Sequence, residues 1–269
     1  MPTAQEPLIP LLIRVTRVTT TPSEADPLLT NRDGHRIERV LVVMAHPDDV
    51  DFGAGGTVRA WTHAGVEVTY AIVTNGDAGG VDRDVPRSQI PAIRQAEQRA
   101  AGACLGVDDV RFLGYVDGEL TVTHDLRRDI SRVIRQVRPD RMLIQSPERN
   151  WARIPASHPD HMAAGEAAIQ AVYPDARNPF AHPSLLIDEH LEPWTCPEVW
   201  VMATDRPDTF IDVTDNVDAK FAALRAHESQ TAHMDDLESR VRGWMTMTAQ
   251  AAGLPEGRLA EGFMVAATP

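Results

Sequence analysis

The chain has 269 residues and carries 39 Asp and Glu against 26 Lys and Arg, a formal net charge of −13. That excess of negative charge argues against nucleic acid or an anionic membrane as the main partner, because either would require a basic face. The length and the 43% hydrophobic content are sufficient for one large α/β domain with a sizeable core. The two cysteines are too few for a disulfide framework.

Residues 1–37 form an N-terminal arm ahead of a predicted single α/β domain, residues 38–269. Residues 11–19 of the arm alternate and are rich in β-branched side chains, which favours an added edge strand. The arm lacks the basic start and the small-residue cleavage site of a signal peptide. No apolar run approaches the roughly 20 residues of a membrane span, so the sequence predicts a cytoplasmic protein without one.

Apolar strand patterns alternate with helical patterns along the chain. Strands are predicted at residues 39–45, 66–74, 110–113 and 142–145, and helices at residues 57–64, 91–105, 126–137, 162–173, 217–227 and 236–252. This alternation predicts a doubly wound, mostly parallel, Rossmann-like sheet with helices on both faces. Near the end of the chain, residues 198–203 and 209–213 read as a hairpin or edge pair, and residues 261–266 as a closing strand.

The first motif lies where the first core strand ends. The apolar run of residues 40–45 is followed by His46, Pro47, Asp48, Asp49, Val50 and Asp51, and then by glycines. Charge concentrated where a buried strand emerges is costly unless something offsets it, and a metal ion does so directly. In open α/β sheets this is also the edge where ligands bind. The alternative interpretation is a helix cap, with Asp48 or Asp49 as the N-cap residue.

A second motif, Ser-His-Pro-Asp-His at residues 157–161, repeats the His-Pro-Asp tripeptide. His46 with Asp49, and His158 with His161, each have i,i+3 spacing, so each pair can converge on one point from a single turn. We therefore expect the two motifs to meet in space around one divalent cation.

Ala-His-Pro-Asp-Asp at residues 45–49, followed by the glycine pair 55–56 and by His-Pro-Asp-His at residues 158–161, resembles the zinc-dependent N-deacetylases of the PIG-L/LmbE-like family. The resemblance covers roughly residues 38–265. It implies an LmbE-like fold, a Zn²⁺ ion with Fe²⁺ as the alternative metal in vivo, and a small-molecule amino-sugar substrate of the N-acetylglucosaminide type. Homo-oligomer formation stays open.

A hydrolytic zinc site keeps three protein ligands and one open position for water. The predicted ligands are His46, Asp49 and His161, whose nitrogen and carboxylate donors suit zinc. Asp48 then remains as the base that takes a proton from the water, whose pKa zinc lowers towards about 7. These roles match those that the family gives to its corresponding motif positions.

His158 is the predicted imidazolium that stabilises the oxyanion and passes a proton to the leaving amine. Asp160 is expected to orient His158 and to raise its pKa, or else to serve only as a helix-capping carboxylate. Some thiol-pathway relatives carry Tyr two residues before this histidine, whereas this chain has Ala156. That departure leaves the oxyanion dependent on zinc and His158.

Substrate contacts follow from the resemblance and from loop positions. The resemblance places Arg94 and Glu97 of the second helix near the sugar, although both also read as solvated helix charges. Asp77 occupies the glycine-rich loop after the second core strand. Asn150 and Trp151 lie in the loop before the second motif, where Trp151 either stacks on a sugar face or covers core.

Other functional classes explain the sequence less well. A nucleotide-binding dehydrogenase carries the motif Gly-x-Gly-x-x-Gly after its first strand. Counted from Gly53 and Gly55, the third glycine position of that motif is Val58 here, so the motif is absent. A phosphorelay receiver domain also has an acidic pair after its first strand, but that function does not explain the second His-Pro-Asp motif. The retained alternative is a non-catalytic or amidase-type relative that binds a sugar or thiol conjugate. The segment around His227 also resembles a recurrent family stretch, so this residue is expected near the site or as a structural histidine.

Overall fold

The computed structural model describes residues 14–17, 26–151 and 153–269. Its eight strands are β1 (Arg14–Arg17), β2 (Arg39–Met44), β3 (Glu67–Thr74), β4 (Asp109–Tyr115), β5 (Arg141–Gln145), β6 (Glu198–Met202), β7 (Thr209–Asp212) and β8 (Ala260–Ala267). They form one sheet in the order β1-β7-β8-β6-β5-β2-β3-β4. All neighbours pair in parallel except β8, which is antiparallel to β6 and β7.

The helices are α1 (Asp49–His63), α2 (Ile90–Leu105), α3 (His124–Val137), α4 (Pro159–Gln170), α5 (Pro183–Ile187), α6 (Val217–Ala226), α7 (Glu228–Thr231) and α8 (Leu237–Ala251). Short 3₁₀ turns cover Arg87–Gln89, Ile154–Ser157 and Thr214–Asn216, and a π turn covers Ala171–Asp175. Within the described part of the chain, none of the helices combines the length and the apolar character that a membrane crossing demands.

Helices cover both faces of the sheet, so the central strands are apolar on both sides. Val42 of β2 belongs to one buried cluster together with Trp61 of α1. Val43, the next residue, belongs to the other cluster together with Ile134 of α3. The predicted doubly wound, mostly parallel α/β fold is therefore confirmed.

The site is positioned by the strand order around β2. β2 pairs with β3 on one side and with β5 on the other, in register at Val43 and Ile144. The chain thus leaves β2 in one direction and later returns on its other side. A sheet of this kind has a crevice outside the carboxyl ends of the two strands where the order reverses. The residues that follow β2 and β5 both lie at this crevice.

Two details of the predicted fold are wrong. The strands β6 and β7 do not pair with each other, because β8 lies between them and pairs with both. Helix α1 begins at Asp49 rather than near residue 57. Its glycines permit close helix packing instead of a turn, since a β-carbon at Gly53 would collide with Met202 and one at Gly56 with Val213.

Strand β1 comes from the segment that the sequence analysis assigned to an N-terminal arm. β1 pairs in parallel with β7 from Arg14 to Arg17 and lies at the end of the sheet. The remaining residues of the predicted strand, 11–13 and 18–19, lie outside the described residues.

Candidate metal centre and active site

The two His-Pro-Asp motifs meet at the crevice. His46 follows β2, and His161 lies in the first turn of α4. The Nε2 atom of His161 is 3.2 Å from Nδ1 of His46 and 3.0 Å from Oδ1 of Asp49. Nδ1 of His46 is in turn 3.4 Å from Oδ2 of Asp49. Potential ligand atoms of three side chains from two distant segments, including both oxygens of Asp49, therefore lie close together.

The spacing of these atoms fits a divalent transition metal. Zinc binds histidine nitrogen and carboxylate oxygen at about 2.0–2.2 Å in tetrahedral geometry, which separates adjacent ligands by about 3.4 Å. The three separations in the protein are 3.0, 3.2 and 3.4 Å. Two imidazoles and one carboxylate are donors that suit zinc and ferrous iron. His158 also brings a ring nitrogen within 4.8 Å of those of His46 and His161.

The far side of the His46 ring is held by two carboxylates. Its Nε2 atom is 3.1 Å from Oδ1 of Asp117 and 3.1 Å from Oδ2 of Asp160. A proton on Nε2 leaves the Nδ1 lone pair facing Asp49 and His161, as a ligand requires. Burial alone would lower the pKa of His46, but Asp117 and Asp49 outweigh it and raise that pKa to about 11.

The predicted role of Asp160 is wrong in its detail. Its carboxylate contacts His46 and accepts the backbone N–H of Gly118 at 2.7 Å, and it does not orient His158. The backbone N–H of Asp160 instead donates to Nδ1 of His158 at 3.2 Å. Burial, followed by the rings of His46 and His161, lowers the pKa of His158, and the Asp160 carboxylate opposes this shift, as predicted, without reversing it. The direct contact of the Asp160 carboxylate is with His46, a predicted metal ligand.

Asp48 has a strained backbone that two side chains of α2 hold in place. Its φ of 91° is rare for a residue other than glycine, and its side chain caps no helical N–H. Nη2 of Arg94 donates to the carbonyl of Pro47 at 2.6 Å and lies 3.0 Å from Oδ2 of Asp48. Oε1 of Gln98 accepts the Asp48 N–H at 2.8 Å. Such over-determined strain is typical of functional sites. Asp48 is the N-cap residue of α1, as the alternative interpretation expected, but its side chain makes no capping hydrogen bond.

The electrostatics of Asp48 suit proton transfer. Burial raises the pKa of this carboxyl to about 6, against the opposing effect of the Arg94 cation. A carboxyl with a pKa near the working pH can both accept and release a proton. Asp49 differs, because the imidazoles of His161 and His46 overcome the effect of burial and lower its pKa.

Arg94 is buried and is not a solvated helix charge. Its Nη1 donates to the carbonyl of Gly76 at 2.9 Å, in the glycine-rich loop after β3. Gly76 has a φ of 65°, and a β-carbon there would collide with the guanidinium. Arg94 therefore holds Asp48 and the glycine-rich loop together, and its predicted contact with the sugar stays a prediction.

Asp77 and Glu97, the two acidic residues predicted to lie near the substrate, also make contacts within the protein. Asp77 accepts the backbone N–H of Asp117 at 3.0 Å and pairs with Arg87 at 2.7 Å. Both carboxylate oxygens of Glu97 accept from Ser229, from its N–H and its hydroxyl, at 2.7 Å. Asp77 therefore fixes the loop that presents Asp117, and Glu97 ties α2 to α7.

The loop before the second motif is more exposed. The side chain of Asn150 accepts the backbone N–H of Arg153 at 3.0 Å. Trp151 is 80% exposed, so it does not cover the core. Its ring lies 5.7 Å from the guanidinium carbon of Arg149.

Sequence reasoning missed Asp117 and Gln98. Asp117 follows the carboxyl end of β4, at the same edge of the sheet as His46. Its place after a predicted strand could have identified it as a candidate site residue. Gln98 lies one turn after Arg94 on α2 and links Asp48 to Asp51, donating to Asp51 at 2.9 Å. Asp51 also lies 2.8 Å from Nε2 of the fully buried His227, which is thereby part of this supporting network.

Comparison with known proteins is consistent with this geometry. A sequence model described as GlcNAc-PI de-N-acetylase, of the PIG-L family, matches residues 41–172. Diacetylchitobiose deacetylase of Thermococcus kodakarensis is 33% identical over 74% of this chain and 73% of its own length. A probable N-acetyl-alpha-D-glucosaminyl L-malate deacetylase 2 of Bacillus cereus is 35% identical over 76% and 89%, respectively.

A solved structure is similar over most of the fold. N,N'-diacetylchitobiose deacetylase of Pyrococcus horikoshii matches with a TM-score of 0.78 and 30% identity, covering 86% of this chain and 84% of that one. The region that the family model matches, residues 41–172, includes both His-Pro-Asp motifs. On these matches, the chain belongs to the PIG-L/LmbE-like N-deacetylase family.

Proposed function

We propose that this protein is a metal-dependent amide hydrolase that removes the acetyl group from an N-acetyl amino sugar. One observation carries the proposal: the ligand atoms of His46, Asp49 and His161 lie 3.0–3.4 Å apart, beside the strained Asp48. The similarity to diacetylchitobiose deacetylase and to a probable N-acetyl-alpha-D-glucosaminyl L-malate deacetylase supports the substrate class.

His46, Asp49 and His161 would hold the ion, with zinc as the expected metal and ferrous iron as the alternative. Bound there, it would lower the pKa of a coordinated water and polarise the amide carbonyl. Asp117 and Asp160 keep Nε2 of His46 protonated, so that Nδ1 faces the other two ligands. Asp48, beside these three side chains, would then face the water and the amide.

The remaining steps belong to the side chains of this chain. Asp48 accepts a proton from the attacking water, and its pKa of about 6 leaves it mostly ionised at neutral pH. A bond forms between the water oxygen and the amide carbon, and the carbon–nitrogen bond breaks. The proton that Asp48 accepted passes to the departing nitrogen, with His158 at the edge of the same site as the relay, so that both side chains return to their starting states. The products are a carboxylate and a free amino sugar.

The test combines metal analysis with an acetate-release assay on N-acetylglucosamine, diacetylchitobiose and N-acetylglucosaminyl malate. Asp48→Asn should retain the metal and lose about 100-fold or more in kcat, the range expected for a general base. His161→Ala should lose metal, whereas the exposed His233→Ala serves as the matched control. Stoichiometric metal without turnover on the whole panel would reject the hydrolase and favour a sugar-binding relative.

A further inference from the structure

A cavity of about 420 Å³ opens beside the proposed metal ligands and runs beneath α8. Asp49 and His161 line one end of it. The rest of its wall is mostly apolar and includes Phe52, Met202, Leu237, Val241, Trp244 and Met245. Ligand pockets typically have volumes of roughly 300–1,000 Å³ and walls of this composition.

Apart from Asp49 and His161 at one end, the polar side chains described above for the site do not line this cavity. Among the described residues, Asp48, Arg94 and Asp117 all lie outside its wall. The buried charges within the wall, Lys220 and Glu261, are paired with each other at 2.7 Å. The wall also includes Gln145, Arg153 and Arg240, but apolar side chains make up most of it. A polyhydroxylated sugar would therefore lose more hydrogen bonds to water here than the wall replaces. The cavity therefore suits the apolar substituent of an amide held at the metal site.

We propose that this cavity binds the acyl group of the substrate amide, and that the enzyme prefers N-acyl amino sugars whose saturated acyl chain is longer than acetyl. The inference rests on the proposed function and specifies its substrate. A methyl group fills about the volume of one water molecule, roughly 30 Å³. An acetyl group would leave most of the 420 Å³ empty, whereas a chain of roughly six to eight carbons would fill about half of it.

The size of the expected preference follows from burial of methylene groups. Each buried methylene is worth about a fourfold change in an equilibrium or in kcat/KM. A hexanoyl chain places four more methylenes in the cavity than acetyl does. We therefore expect kcat/KM for N-hexanoylglucosamine to exceed that for N-acetylglucosamine by at least about tenfold, even when burial is incomplete.

The experiment uses the full-length, metal-loaded protein and measures release of free glucosamine from N-acetyl-, N-butanoyl-, N-hexanoyl- and N-octanoylglucosamine. Two substitutions fill the cavity: Val241→Phe at a buried position and Leu237→Trp at a partly exposed one, which preserves the test if the first variant does not fold. Each should lower the ratio of kcat/KM for hexanoyl over acetyl at least about tenfold. Met247→Phe, on the exposed face of the same helix, should leave the ratio within about twofold.

Three outcomes would overturn the inference. If the wild-type protein deacetylates N-acetylglucosamine and does not favour longer chains, the proposed function stands and the acyl assignment fails. If N-acetylglucosamine glycosides with an apolar aglycone are preferred, and Val241→Phe abolishes that preference, the cavity belongs to the aglycone. If no N-acylglucosamine is hydrolysed by the metal-loaded protein, both the function and the inference fail.

Discussion

Nη2 of Arg94 lies 3.0 Å from Oδ2 of Asp48, and the same nitrogen donates to the carbonyl of Pro47 at 2.6 Å. One guanidinium thus fixes the backbone and the side chain of the proposed base together. Because Arg94 is buried, this contact is only weakly screened by solvent. The pKa of Asp48 therefore depends on a residue of helix α2 as well as on the residues next to Asp48 in the chain.

Replacing Arg94 with Met should shift the pH dependence of hydrolysis. Burial raises the pKa of Asp48 to about 6, and the Arg94 cation lowers it, so removing the cation should raise this pKa further. Activity that requires ionised Asp48 should then be lost at a higher pH on the acid side, by about one pH unit. The measurement is kcat/KM from pH 5 to 8. Arg99→Met, an exposed arginine on the same helix, is the control, and an unmoved acid limb would contradict the assignment.

Replacing Asp117 with Asn should weaken metal binding. The residue holds Nε2 of His46 at 3.1 Å, and losing such a partner of a ligand histidine typically costs about 10–100-fold in affinity. The dissociation constant can be measured by competition with a chromophoric chelator. Glu119→Gln, an exposed residue of the same loop, should have no effect. Equal affinities for the Asp117 variant and the wild-type protein would show that Asp117 does not support the site.

The ion pair of Lys220 and Glu261 should give unequal losses of stability. Removing one partner of a buried pair costs about 3–5 kcal/mol. After Lys220→Met, Glu261 still accepts from the N–H groups of Gly56 and Thr57, so we expect about 3 kcal/mol. Glu261→Met also removes those hydrogen bonds and should cost about 5 kcal/mol.

Urea unfolding of the two single variants and the double variant measures these losses. The double variant should lose less than the sum of the singles, because it leaves no unpaired buried charge. Arg225→Met breaks an exposed pair with Glu238 and should cost less than about 1 kcal/mol. Strict additivity between Lys220→Met and Glu261→Met would show that the two charges do not interact.

Replacing Asp175 with Asn should change stability at acid pH, far from the metal site. Burial tends to raise the pKa of Asp175, but the hydrogen bonds of Arg127 and His182 outweigh it and lower that pKa. A depressed carboxyl pKa contributes stability above the unfolded value of about 3.9, which is lost as the pH falls through the folded value.

The Asp175→Asn variant should therefore be less stable than the wild-type protein by about 2 kcal/mol at pH 7, and the difference should shrink below about pH 4. Urea unfolding at pH 7, 5 and 3.5 provides the comparison. Asp125→Asn, with a side chain 70% exposed, is the control. A difference that grows as the pH falls would have the wrong sign and would contradict the assignment.

The parts of the site that could be predicted from sequence are those set by local spacing. His46 with Asp49, and His158 with His161, follow the ends of apolar strands, and parallel strands bring their carboxyl ends to one edge. Which group each carboxylate of the site contacts could not be predicted, because it depends on how distant segments pack together. Asp160 turns its side chain to His46 and Gly118, which no local pattern indicates.

The fold shows the same division. Buried strands such as β2 could be predicted from sequence because both of their faces are apolar. The place of β8 between β6 and β7 could not, because it depends on pairing between segments more than 45 residues apart in the chain. The start of α1 was misjudged because glycines usually signal a turn. Here Gly53 and Gly56 allow close approach to Met202 and Val213 within a helix.

Strand β8 supplies Glu261, whose carboxylate accepts the N–H groups of Gly56 and Thr57 in the middle of α1. A ribosome makes the chain from its amino end, so α1 and the metal-binding turn before it emerge some 200 residues ahead of this acceptor. The hydrogen bonds of Gly56 and Thr57 can therefore form only after β8 has been made. We expect α1 to reach its final position late in synthesis, when the last strand joins the sheet.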